Sequence, residues 1–173
     1  MAKNFGWLLV VLLSLNSLAA PVVGQKPPSV TLSGSAGGRL SGAAWSSDEL
    51  LGKVSVVFSI DPDVAHVNEA AGAALTGEKL PADEFQSVAV VNMAATWLPN
   101  FAIDQRLRQK QKQYPDTVHV RDLRRSLVRA WDLADDGNAV LVLDRQGRVL
   151  FVHEGQLDEA SLRAMIQAVR SAL

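Results

Sequence analysis

Residues 139–153, AVLVLDRQGRVLFVH, set two apolar runs on either side of Asp144-Arg145-Gln146-Gly147. Valine and leucine suit both arms to strands, and Gly147 supplies the left-handed residue that a hairpin loop needs. The stretch predicts an antiparallel pair. On its C-terminal side, Asp158 is placed to cap a helix whose Leu162, Met165, Ile166, Val169 and Leu173 share one face.

Toward the N-terminus, Lys53–Ile60 (KVSVVFSI) is β-branched and nearly all apolar, the pattern of a strand buried on both faces. Asp61-Pro62-Asp63 breaks it. Asp61 suits an N-cap and Pro62 the first helical position, so a helix is expected over 63–78. Val67, Ala70, Ala71, Ala74 and Leu75 would form its inner face. Gln86–Asn92 (QSVAVVN) reads as a second core strand, and residues 93–100 as a loop holding Trp97 and Pro99. A helix over 102–113 follows, with Ile103, Leu107 and Tyr114 as its apolar stripe. Thr117–Val120 is a short strand, and Leu127, Val128 and Trp131 make a partly buried connection. Upstream, Leu40–Trp45 reads as a short hairpin. Ser46-Ser47-Asp48-Glu49 then has the capping-box pattern, opening a one-turn helix that Gly52 stops. Strand–helix–strand units imply parallel neighbours, and the late hairpin adds an antiparallel edge. The expectation is an α/β fold with a mixed, mostly parallel sheet and helices on both faces.

At 173 residues the chain has room for one domain. With 48% apolar residues, 20% charged and a formal charge of −1, nothing global points to nucleic acid or an anionic membrane. The basic run from Arg106 to Arg129 reads as a solvated helix face. No phosphate loop, dinucleotide fingerprint or nucleophile elbow is present. There is no cysteine.

Lys3, the apolar stretch Phe5–Leu18 and the small residues Ala19, Ala20 and Gly24 have the layout of a secretory signal peptide. The apolar run falls short of the roughly 20 residues of a membrane span, and Pro21 ends it. Residues 1–24 are expected to be that signal, with cleavage after Ala19 or Gly24. Without a cysteine at the cleavage site there is no bacterial lipid anchor, so no stable membrane anchor is expected after cleavage. Residues 25–38 (QKPPSVTLSGSAGG) read as an extended linker and residues 39–173 as the folded domain.

Leu50-Leu51-Gly52-Lys53-Val54 running into a hydrophobic strand, with Val142–Val149, resembles the first core strand and final hairpin of redoxins. More specifically, the chain is similar to the YtfJ family of small exported bacterial proteins. Trp45-Ser46-Ser47, Leu50 and Gly52-Lys53-Val54 carry that resemblance, with Val91-Asn92 and Tyr114-Pro115. Ala130-Trp131-Asp132-Leu133, Ala139–Gly147, Glu154-Gly155 and Leu157 continue it. The resemblance implies a periplasmic protein of thioredoxin-like fold. In that fold's enzymes a nucleophilic thiol sits between the first core strand and its helix, and a cis-proline precedes the penultimate strand. Here those places hold Ile60–His66 and Gly137-Asn138-Ala139. Both halves of a redox site are missing, which excludes a thiol–disulfide oxidoreductase.

Asp61, Asp63 and His66 are the candidates for a replacement chemistry. Carboxylates at a helix N-terminus with an imidazole one turn on could bind a metal or move a proton. The simpler account has Asp61 capping, Asp63 complementing the helix dipole and His66 in water. His66, His119 and His153 lack the i, i+4 spacing of metal ligands, so neither metal nor cofactor is expected. Trp97 and Asn138 are the candidate contacts for a periplasmic protein partner. The expected role is a non-enzymatic binding module. The alternative is an enzyme or metal-binding protein, which requires Asp63, His66 and Asn138 to converge on one concavity.

Overall fold

A computed structural model describes residues 21–173. Of the signal segment expected over 1–24, residues 1–20 and the cleavage point after Ala19 lie outside the described residues. In chain order the strands are β1 (Thr31–Leu32), β2 (Gly37–Arg39), β3 (Trp45–Ser46), β4 (Val54–Ile60), β5 (Phe85–Asn92), β6 (Thr117–Asp122), β7 (Ala139–Leu143) and β8 (Val149–Glu154). The helices are α1 (Glu69–Glu78), α2 (Asn100–Gln113), α3 (Ser126–Ala130) and α4 (Glu159–Ala172).

The main sheet has the order β2-β6-β5-β4-β7-β8. β4, β5 and β6 run parallel, while β7, β8 and β2 are antiparallel to their neighbours. The sheet is mixed, as the order of elements predicts, but with two parallel and three antiparallel pairings it is not mostly parallel. Alternation along the strands sorts the core into two faces. Val57, Val88, Val90, Leu141 and Leu143 join Trp45 and Trp131 on one face, with α3 and the N-terminal segment. Val56, Phe58, Ala89 and Val142 face the other way, under α1 and α4, and Val91 packs beneath Ile103 and Leu107 of α2. The 144–147 loop forms as predicted. Gly147 has φ +79°, and the Asp144 carboxylate accepts from the Gln146 and Arg148 amides. Asp158 caps α4 by accepting from the Ser161 amide at 2.7 Å.

Three further expectations fail. Residues 25–38 are part of the domain and not a linker: Val30 and Leu32 are buried, and the Trp131 indole donates to the Pro28 carbonyl at 2.8 Å. Burying such a side chain is worth about 1.5–3 kcal/mol, more than a Pro/Gly-rich composition suggests. The glycines are there for proximity. A Cβ on Gly37 would sit 1.9 Å from the Arg121 carbonyl oxygen, so only glycine lets β2 lie against β6. Residues 40–45 make a tight turn, not a hairpin, because the strands flanking it pair elsewhere, β2 with β6 and β3 with β1. The helix expected over 63–78 starts only at Glu69; before it lies a single 3-10 turn at Pro62–Val64. Side chains from distant segments hold the intervening backbone in another shape.

Candidate functional site

The corner between β4 and α1 is where the sequence places the former thiol site. Its backbone is fixed by two buried asparagines. The Asn138 Oδ1 accepts from the Asp61 N–H, and its Nδ2 donates to the Val64 carbonyl, each at 2.8 Å. The Asn138 carbonyl accepts from Gly155 N–H at 2.7 Å. The Asn68 Nδ2 donates to the Gly155 carbonyl, and its Oδ1 accepts from the Leu157 N–H, each at 2.9 Å. The Val64 carbonyl accepts from Asn138 and, in a tight turn, from the Val67 N–H at 3.2 Å, so the α-helical pattern does not start at Asp63.

Asp61 does act as an N-cap: its Oδ1 accepts from the Asp63 N–H at 2.9 Å. Burial pushes its carboxyl above the ordinary value. The Asp63 N–H opposes that, and the charges of Asp63, Asp136 and Asp135 add to it. Asp63 and His66 are exposed, and the Asp63 carboxylate accepts from the Thr96 hydroxyl at 2.8 Å. Asn138 is only 3% exposed and lies beneath the turn. Asp63 and His66 both line the cleft between α1 and α2 and Asn138 does not, so the three do not converge. Asn138 has its carboxamide committed inside the protein, so it offers no surface to a partner. Among the described residues no three His, Asp or Glu side chains are grouped to hold a metal ion.

Trp97 stands on the loop before α2 and is 87% exposed; Phe101, in the first turn of α2, is 74% exposed. Sequence reasoning found Trp97 but passed over Phe101, whose i, i+4 spacing from Trp97 was the available signal.

It also passed over a cleft of about 810 Å³ between α1 and α2. Ser87 and Ala89 of β5 and His119 of β6 lie along its floor, with Ala89 and His119 paired across the strands. Leu75 and Gly72 line one wall, Arg106, Leu107 and Lys110 the other. The Lys110 ammonium meets the Glu69 carboxylate at 2.6 Å, joining the two helices. The His119 Nδ1 lies 3.0 Å from the Thr117 carbonyl and 3.2 Å from the Gln111 Oε1, so that nitrogen is the protonated one. Burial lowers the imidazole's pKa and keeps it neutral; the Thr117 carbonyl opposes this and the Lys110 charge reinforces it.

Residues 27–172 match a family of bacterial proteins of unknown function, YtfJ_HI0045. The chain belongs to this family. The uncharacterized protein YtfJ of Escherichia coli K12 is 29% identical over 133 residues, covering 75% of this chain and 72% of that protein. The YtfJ-family chain shares its fold with thioredoxin-like structures. One is the thioredoxin domain of a thiol-disulfide oxidoreductase from Bacteroides vulgatus (TM-score 0.62, 14% identity, 88% of this chain and 99% of that one). Another is the exposed lipoprotein thioredoxin Etrx1 of Streptococcus pneumoniae TIGR4 (TM-score 0.59, 13% identity, 83% and 99%). At such identity the likeness shows the fold alone. This YtfJ-family member has the thioredoxin-like fold and no thiol to perform that fold's exchange chemistry.

Proposed function

We propose that the chain is a periplasmic, non-enzymatic binding module that engages a protein partner through the Trp97 loop. One observation carries the reading. The corner that would hold reactive groups is filled by the Asn138 carboxamide, both ends of which serve the backbone. A corner committed to structure leaves recognition to the surface. Trp97 and Phe101 there combine large apolar area with few rotatable bonds, the composition of an interface anchor. Export is supported by the N-terminal sequence pattern.

An enzyme or metal site on Asp61, Asp63 and His66 has less support. Asp61 is turned into its own cap, and the other two are exposed while Asn138 is buried.

The test is affinity capture from periplasmic extract with wild type, Trp97→Ala and Phe101→Ala. A partner held by wild type and weakened at least 30-fold by Trp97→Ala, with thermal unfolding unchanged, is the expected result; this corresponds to the 2 kcal/mol or so of an anchor residue. Equal capture by all three proteins, or no partner together with catalytic turnover, overturns it. Cell fractionation that finds the protein in the cytoplasm overturns the periplasmic assignment.

A further inference from the structure

The cleft between α1 and α2 exists because three side chains are small. On β5, Ser87 and Ala89 leave the sheet low, and Gly72 leaves the facing wall of α1 bare. A Cβ built on Gly72 meets nothing within 4 Å. The resulting 810 Å³ falls within the roughly 300–1,000 Å³ of small-molecule sites, and its depth is apolar, with Phe58, Leu75, Ala89 and Leu107. Buried polar residues break that surface, among them Ser87 and His119. His119 spends Nδ1 on Thr117 and Gln111, and among the described residues its Nε2 has no protein partner. That acceptor is not among the buried unpartnered atoms of the described residues, so it is open to a water or to a hydroxyl of something bound.

The rim is charged asymmetrically. Lys79 on one wall and Arg106 on the other form no ion pair among the described residues. Arg106 lies one helical turn from Lys110 on the same face of α2, so the two cations flank one point of the mouth. Of the rim carboxylates, Glu69 is held by Lys110 and Asp63 by Thr96, and Asp116 lies beyond the end of α2.

We propose that this cleft binds a small amphipathic carboxylate, its hydrocarbon body on the Ala89 floor and its carboxylate at the mouth between Arg106 and Lys110. The site is separate from the Trp97 surface and does not rest on it. Decanoate is the probe, read by displacement of the fluorescent anion 8-anilinonaphthalene-1-sulfonate from the purified protein, with decanol as the uncharged control. Saturable one-to-one displacement by decanoate, at least tenfold tighter than by decanol, is expected. Gly72→Leu extends into the cavity from a position where a Cβ meets nothing within 4 Å, and should weaken decanoate tenfold or more while leaving the melting temperature unchanged or higher. Arg106→Glu, on an exposed site, should weaken decanoate and not decanol, and covers the case in which Gly72→Leu fails to fold. Trp97→Ala should leave decanoate binding untouched, and Gly72→Leu should leave partner capture untouched. The proposal falls if decanoate does not displace the dye, if decanol competes equally, or if a folded Gly72→Leu binds as wild type does. It also falls if sedimentation shows two copies of the chain closing each other's clefts.

Discussion

The corner before α1 and the cleft behind it are neighbours built in opposite ways. In the corner, the amides of Asn138 and Asn68 reach across from distant segments and satisfy the backbone of residues 61–64 and 155–157. In the cleft, Gly72, Ser87 and Ala89 withhold side chains, and Lys79, Arg106 and the His119 Nε2 stand without protein partners among the described residues. Buried polar groups with every partner in place fix one conformation. An apolar hollow with open polar groups at its edge is the form of a binding site. The two regions meet, since Pro62, Asp63 and His66 of the corner also line the cleft.

The sharpest way to break this contrast is to remove the amides. Asn138→Ala orphans the buried Asp61 N–H and leaves the part-buried Val64 carbonyl only the Val67 N–H at 3.2 Å, so a loss of about 1–3 kcal/mol is expected in urea unfolding. Asn68→Ala, whose partners Gly155 and Leu157 are nearer to solvent, should cost about 1–2 kcal/mol. Losses below about 0.5 kcal/mol for both, within the range of ordinary surface substitutions, would mean that the corner is not held by these bonds.

On the cleft side the sign reverses. Gly72→Ala adds a helix-favouring methyl where nothing lies within 4 Å, and should stabilise the protein by about 0.5–1 kcal/mol. A destabilised variant would show that α1 closes onto the sheet in solution.

These two regions also differ in how much of them the sequence discloses. Local signals were enough for the 139–153 hairpin, the all-apolar β4 and the Asp158 cap, because each depends on a few adjacent residues. The Asn138 bond joins positions 77 apart, so no local pattern distinguishes it from a polar loop residue or a partner contact. It is also what overrides the helix signal of Asp-Pro-Asp. The cleft is harder still to read. It arises from the register that sets Ala89 beside His119 and from the missing side chain of Gly72, and small residues in a strand or helix look the same whether or not something larger faces them. Residues 25–38 misled by composition: Pro, Gly and Ser dominate, yet Val30 and Leu32 are enough to bind the segment to the core.

A smaller effect tests the electrostatics of the corner. Asp61 has its carboxyl raised above the ordinary 3.8, so the folded chain holds that proton more tightly than the unfolded chain. Its contribution therefore favours the fold at low pH. It declines as pH rises through the window between 3.8 and the raised folded value, and stays low above it. Asp61→Asn keeps an oxygen to accept from the Asp63 N–H and removes the charge. The variant should be at least as stable as wild type at pH 7, with the difference vanishing below the unfolded value. Unfolding measured from pH 3 to 7 checks this; a variant less stable by the same amount at every pH contradicts it.

The smallest effects should come from the residues that looked most chemical. Asp63→Ala removes one exposed hydrogen bond to Thr96, and His66→Ala removes a side chain with no hydrogen-bond partner among the described residues. Each should shift stability by less than about 0.5 kcal/mol, the range of surface changes. If the corner is only structural, neither should alter the metal content of purified protein or the capture of a partner. A loss of bound metal in Asp63→Ala, with unfolding unchanged, would reverse the comparison. The corner would then be the working site, and its asparagines would position ligands as well as backbone. The opposite order is expected, with Asn138 more costly to remove than either Asp63 or His66, because its bond to Asp61 is buried and its bond to Val64 part-buried, whereas Asp63 has one exposed bond and His66 none among the described residues.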